Sequence, residues 1–272
     1  MRPQPPPPDP VPGHELGGIV GGRDVSVRKS PWQVSLRFDD QSSQQWEHVC
    51  GGSLVHPQWV MTAAPYVEPS GVEAWAVRVQ VGQLKLYDND RLTKVTQIIL
   101  HPKYNVSLSA KGGADIALLK LEAPVALSKY VRAVTLPPAA LSVPEMSCWV
   151  TGWGNIKSGR KCQDRRGGAI PCFPPWNLQQ VEVPIVSNER CRRQYQLVDL
   201  PIREDMLCAG AKFRGPCQGD SGGPLVCNMK STWLQVGVVS FGACCGLPNY
   251  PGVYARVSSY VPWIHQHVPL QP

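Results

Sequence analysis

Short apolar runs broken by turn residues recur along nearly the whole chain. Trp32–Arg37, Trp59–Thr62, Ala76–Val81, Val95–Leu100, Ile116–Leu121, Cys148–Thr151, Leu178–Val183, Trp233–Ser240 and Val253–Val257 each read as a β-strand. Strands at this spacing predict a sandwich or barrel rather than βαβ units. The one helix expected is terminal. Tyr260, Trp263, Ile264, His267 and Val268 share a face at helical spacing, after a cap at Ser258 or Ser259. Pro262 is tolerable there if it lies in the first turn. No internal repeat stands out.

Composition narrows the class. With 43% hydrophobic and 17% charged residues the chain is globular, and 25 glycines with 28 prolines suit a turn-rich all-β protein. Met1–Gly13 differs: it is Pro-rich, and we expect it to be unstructured. No apolar segment of about 7–15 residues follows the start, so no secretory signal is expected in this chain. No apolar stretch approaches ~20 residues, which excludes a helical membrane span. Ten cysteines nevertheless point to an oxidising compartment, with reduced cytosolic thiols as the alternative. The net charge of +7 allows weak attraction to a heparin-like polyanion. The basic pairs Arg160–Lys161, Arg165–Arg166 and Arg192–Arg193 also fit a plain solvated surface, and no nucleic-acid module accompanies them.

The chemically most specific segment is Gly219-Asp220-Ser221-Gly222-Gly223-Pro224. A nucleophilic serine needs its hydroxyl exposed on a tight loop, with backbone N–H groups converging on the oxyanion of a tetrahedral intermediate. Glycines permit that close approach and positive φ. Three further segments accompany it: Ile19-Val20-Gly21-Gly22, Cys50-Gly51-Gly52-Ser53-Leu54 running to Met61-Thr62-Ala63-Ala64, and Asp115-Ile116-Ala117-Leu118-Leu119. With these in place the chain resembles the trypsin-like serine protease family from about Ile19 to Val268. Trp149-Val150-Thr151-Gly152-Trp153-Gly154 and Trp263-Ile264-His265 look most like its tryptase, mastin and implantation-protease branch.

The resemblance implies an all-β fold of two six-stranded antiparallel Greek-key barrels with a C-terminal helix. The expected organisation is a Pro-rich segment 1–18 and a protease domain 19–268, with barrels over about 19–130 and 131–257 and a helix over 258–268. It also implies catalytic roles for Asp115 and Ser221, and an oxyanion hole from Gly219 and Ser221. A specificity pocket would be formed by Gly215, Ser240, Gly242 and Gly252, and Ile19 would pair with Asp220 on activation. No cofactor and no metal are expected.

The chain departs from the family pattern in several places. The family follows Thr-Ala-Ala with His-Cys, whereas Thr62-Ala63-Ala64 is followed by Pro65-Tyr66. Proline cannot act as general base, and Ser221 is then a poor nucleophile. His48 resembles a framework histidine near the triad; His56, His101, His265 and His267 fall away from the cleft. Asp115 would be left without its histidine, a costly buried carboxylate unless other donors reach it. Gly215 stands where trypsin and tryptase carry an aspartate, so selection for Lys or Arg is not expected. Phe241 can keep the pocket wall apolar, and Cys244 replaces a glycine. His14-Glu15-Leu16-Gly17-Gly18 precedes Ile19 without Lys or Arg; with residues 1–18 attached, Asp220 lacks its ammonium.

By resemblance, Cys148–Cys227, Cys191–Cys208 and Cys217–Cys245 should be bridges. Cys50 loses its partner to Tyr66, Cys162 and Cys172 could bridge each other, and Cys244 is expected free. Asn105-Val106-Ser107 is a glycosylation sequon, usable only on the secretory route. The expectation is a catalytically impaired protease homologue, outside cells, that meets proteins or peptides as a decoy or scaffold, with no membrane and no nucleic-acid partner. A weak endopeptidase and the product of a decaying gene are the alternatives.

Overall fold

The computed structural model describes residues 19–26, 28–40, 45–68, 72–139, 141–154, 176–243, 245–246 and 249–270, together with the backbone of 162–163 and 169–170. A two-residue strand β1 (Arg23–Asp24) precedes the first barrel. That barrel comprises β2 (Gln33–Asp40), β3 (Gln45–His56), β4 (Trp59–Thr62), β5 (Val77–Val81), β6 (Thr93–Leu100) and β7 (Ala117–Leu121). It closes in the order β2-β3-β4-β7-β6-β5.

The second half holds β8 (Ser147–Gly152), the small hairpin β9 (Cys162–Gln163) and β10 (Ala169–Ile170), β11 (Gln179–Val186), β12 (Met206–Ala209), β13 (Pro224–Met229), β14 (Thr232–Phe241) and β15 (Gly252–Arg256). Its sheet runs β1-β11-β12-β15-β14-β13-β8, and pairing of β11 with β8 closes a second six-stranded antiparallel barrel. The all-β expectation therefore holds.

Each barrel packs its own centre. Val34, Leu36, Leu54, Val60, Val77, Val79 and Leu119 fill the first, and Val150, Val183, Leu207, Leu225, Val236 and Tyr254 fill the second. A third cluster lies on the seam, where Trp32, Met61, Ile116 and Leu118 meet Val238 and the terminal helix α2 (Val257–His267). Each large side chain buried there contributes about 1.5–3 kcal/mol, which locks the barrels into one body.

Several local expectations need correction. A second helix, α1 (Asn188–Gln196), is present; only Cys191 and Tyr195 are buried on it, so its sequence carries no apolar stripe. For α2 the N-cap position is Arg256, and Ser258 Oγ instead donates to the Leu141 carbonyl at 3.1 Å. Pro262 lies beyond the first turn. The helix tolerates the missing N–H because Val257, Tyr260, Val261, Trp263 and Ile264 are buried on the seam. Strands β3, β12 and β13 were not marked by the apolar runs: Gln45–His56 interleaves polar residues and two glycines, and the other two are short.

Candidate active site

The loop bearing Ser221 leaves the β12 side of the second barrel and enters β13, and it presses against β3 of the first. Gly51 N–H donates to the Ser221 carbonyl at 2.8 Å, and a Cβ on Gly51 would come within 3.0 Å of Gly223 Cα. Gly222 has φ +80°, and a Cβ there would collide with Thr62 Oγ1 and the Gly51 carbonyl. Backbone contact between barrels thus demands glycine at these positions. Gly219 also has φ +95°, and among the described residues neither its N–H nor that of Ser221 has a hydrogen-bond partner. Two free N–H groups flanking a serine are what oxyanion binding requires.

Asp220 is fully buried beneath this loop. Gly154 N–H donates to its Oδ1 and Cys217 N–H to its Oδ2, both at 2.8 Å. Burial pushes its carboxyl up to about 7, with those two donors pulling the other way. Ile19 is buried too, in the second barrel's core. Among the described residues no hydrogen bond or ion pair joins it to Asp220.

Asp115 approaches from the residues just before β7. Ala64 N–H donates to its Oδ1 at 2.8 Å, and the Ser240 hydroxyl donates to Oδ2. The buried carboxylate therefore does have donors, one from each barrel. Burial still outweighs them and raises its pKa to about 6.

Between Asp115 and Ser221 the chain reads Ala64-Pro65-Tyr66, a 3₁₀ turn entered from extended Ala63. Pro65 fits its opening, where an N–H would have no partner in any case. The Tyr66 hydroxyl donates to Ser221 Oγ at 3.3 Å. Burial raises the phenol's pKa, so at neutral pH it stays protonated and has a proton to donate. This contact was not foreseen: the family resemblance leads one to expect cysteine at position 66, and no local pattern tells where the larger side chain goes. Cys50 is buried and free, and burial pushes its thiol up to about 12.

His48 does not reach Ser221. Its Nδ1 lies 2.8 Å from Ser35 Oγ and its Nε2 3.2 Å from the Gly219 carbonyl, with the ring edge-on to Trp153. Burial lowers its pKa to about 4. His101 packs against Tyr260 and Trp263 on the seam, away from Ser221.

Gly215 is buried and bridges Val20, and a Cβ added to it meets nothing within 4 Å. Gly252 sits against Pro216, with an added Cβ 3.1 Å from Cγ, and Gly242 faces Tyr195 Oη. Tyr195, which the strand-based reading overlooked, is fully buried; its hydroxyl donates to the Pro251 carbonyl at 2.6 Å and accepts from Ala243 N–H at 3.3 Å. Its only sequence signal was its place one turn after Cys191 on a short helix. Phe241 stands edge-on to its ring.

The bridges Cys148–Cys227, Cys191–Cys208 and Cys217–Cys245 are formed, the last tying the Ser221 loop to the segment after Gly242. Cys172, Cys244 and the side chain of Cys162 lie outside the described residues. Asn105 is exposed in a turn, its Oδ1 accepting from Ser107 N–H at 2.9 Å.

Comparison with known proteins completes the picture. The family model described as Trypsin matches residues 19–264. Tryptase of Mus musculus is 48% identical over 267 residues, 96% of this chain and 92% of the relative. Serine protease 28 of Mus musculus is 41% identical over 258 residues, 92% of this chain and 89% of the relative. The chain belongs to the trypsin-like serine protease family.

Proposed function

We propose that this chain is a family member that binds peptides or proteins in its inter-barrel cleft without cutting them at a useful rate, working outside cells as a decoy or scaffold. One observation carries this reading: the side chain hydrogen-bonded to Ser221 Oγ is the Tyr66 phenol, not an imidazole. A protonated phenol that donates to the seryl oxygen cannot accept its proton, so nucleophilic attack lacks its general base. His48 is no substitute, since both ring nitrogens are engaged elsewhere and burial keeps the ring neutral. Loss of the histidine alone lowers kcat by about 10⁶ in subtilisin, while oxyanion and binding contributions leave about 10³–10⁴ over water.

The disulfides fit an oxidising compartment and support the extracellular placement. Gly215, not an aspartate, stands where the resemblance puts the base of the specificity pocket, which argues against selection for Lys or Arg in the bound peptide. The unpaired Gly219 and Ser221 N–H groups favour a second reading, a feeble endopeptidase. A fluorophosphonate probe separates the two. Purified protein should show no labelling of Ser221 above a Ser221→Ala control; rapid stoichiometric labelling would establish the enzyme.

A further inference from the structure

Arg37 lies in β2 with its side chain fully excluded from solvent. A buried guanidinium is costly unless every face is occupied, and here each is. Nε donates to Ser35 Oγ at 2.7 Å, one terminal nitrogen to the Trp46 carbonyl at 3.2 Å, and the other to Gln83 Oε1 at 3.0 Å. Among the described residues Asp90, with Oδ1 at 3.4 Å, is the one carboxylate paired with it, and the Tyr87 ring covers the guanidinium at 4.2 Å. The Tyr87 hydroxyl also accepts the backbone N–H of His48 at 3.1 Å. Arg37 and His48 are thus clasped by the same outer segment.

We infer that Arg37 is a positioning residue for the Ser221 loop, acting through Ser35 and the His48 ring to hold the Gly219 carbonyl. The direction of every link follows from donor chemistry. A guanidinium only donates, so Ser35 Oγ accepts from Arg37 and has its own proton free. That proton goes to His48 Nδ1, 2.8 Å away, which must then be bare. A neutral ring with bare Nδ1 carries its proton on Nε2, and the Gly219 carbonyl, 3.2 Å distant, can only accept. Both ends of the chain call for the same tautomer. The opposite tautomer would set a ring lone pair against a carbonyl oxygen. Burial, to which Arg37's charge adds, keeps the ring neutral despite that carbonyl. Pinning the carbonyl fixes the peptide joining Gly219 to Asp220, one residue from the seryl oxygen, at a glycine with φ +95° that has little stiffness of its own.

The inference concerns the unmodified chain and is independent of whether Ser221 turns over peptides. In protein carrying ¹⁵N-histidine, His48 should show protonated Nε2 and bare Nδ1 between about pH 5 and 8. Arg37→Met and Ser35→Ala should each give mixed tautomers and displace the Gly219 amide resonance. Each should also speed amide hydrogen exchange at Gly219 and Ser221 by about tenfold or more. Arg37→Lys, whose ammonium can still donate to Ser35, should restore the single tautomer, and Arg78→Met, the cross-strand neighbour whose guanidinium lies over the Trp46 ring and donates to the Trp75 and Val77 carbonyls, should leave all of this unchanged. A purely structural role for Arg37 would cost stability without moving the tautomer. Wild-type protein with the proton on Nδ1, or unaltered tautomer and Gly219 exchange in Arg37→Met, would overturn the inference. Should Arg37→Met fail to fold, Ser35→Ala and the wild-type tautomer decide it.

Discussion

The two walls of the cleft are built to very different requirements. On the second-barrel side, the Gly219–Gly223 loop has its backbone pressed against β3 and its glycines fixed by close approach and positive φ. On the first-barrel side, Pro65 and Tyr66 stand where the family resemblance leads one to expect histidine and cysteine, Cys50 is unpaired, and Asp115 is held by Ser240 and the Ala64 N–H. The contrast separates what the fold requires from what the chemistry would require. The loop glycines are needed by the fold: a Cβ on Gly222 would break the contact between barrels, and one on Gly219 or Gly223 would crowd Gly154, or Asp220 and Thr151. An imidazole at position 65 would be needed only by the chemistry, and a 3₁₀ turn accepts proline in its place. On the function proposed above, catalytic capacity and structural integrity separate in this chain.

The most severe challenge to that contrast is repair of the damaged wall. Pro65→His with Tyr66→Cys, in a chain beginning at Ile19, should raise hydrolysis of a peptide ester by about 10⁴-fold or more, given the cost of losing this base in subtilisin. No gain would mean that the second wall is damaged as well.

Next in size is an insult to the intact wall. Gly222→Ala should cost about 2–3 kcal/mol from strained φ and contact with Thr62 and Gly51, lowering Tm by roughly 4–12 °C. Pro65→Ala, on the other wall, should cost under about 1 kcal/mol in the same thermal melt. Equal losses would abolish the contrast.

Gly215→Asp sharpens it further. Because an added side chain there starts in open space, the carboxylate should strengthen binding of an Arg peptide over its norleucine analogue by about tenfold or more in calorimetry. An unchanged ratio would show that position 215 does not face the bound side chain.

The smallest effect is in pH dependence. Asp115 has an ordinary carboxyl value of 3.8 when unfolded and about 6 when folded, so the folded state keeps a proton that the unfolded state releases. Stability from this group therefore falls as pH rises from about 4 to 6. Asp220 acts in the same sense up to about 7, and His48, lowered to about 4, in the opposite one. Asp115→Asn keeps an acceptor for Ala64 N–H and should remove its share of the decline in Tm across that window. A slope identical to wild type would mean that Asp115 ionises freely in the fold.

Much of this was legible in the sequence because it rests on local or covalent patterns. The Gly-Asp-Ser-Gly-Gly loop, the short strands and the proline after Thr-Ala-Ala are all visible in order along the chain, whereas the three cysteine pairs came from the family resemblance. Their geometry is dictated nearby: by glycine's freedom, by proline's missing N–H, by what an imidazole can do and a pyrrolidine ring cannot. What the chain alone did not settle was which distant side chains would meet. Tyr66 against Ser221, Ser240 on Asp115, and Arg37 reaching Gly219 through Ser35 and His48 each join residues far apart in sequence. Only closing two barrels against each other creates those neighbours. Burial there removes water from charged and polar groups, so each must find a partner inside the protein, and the tertiary fold decides which one it finds.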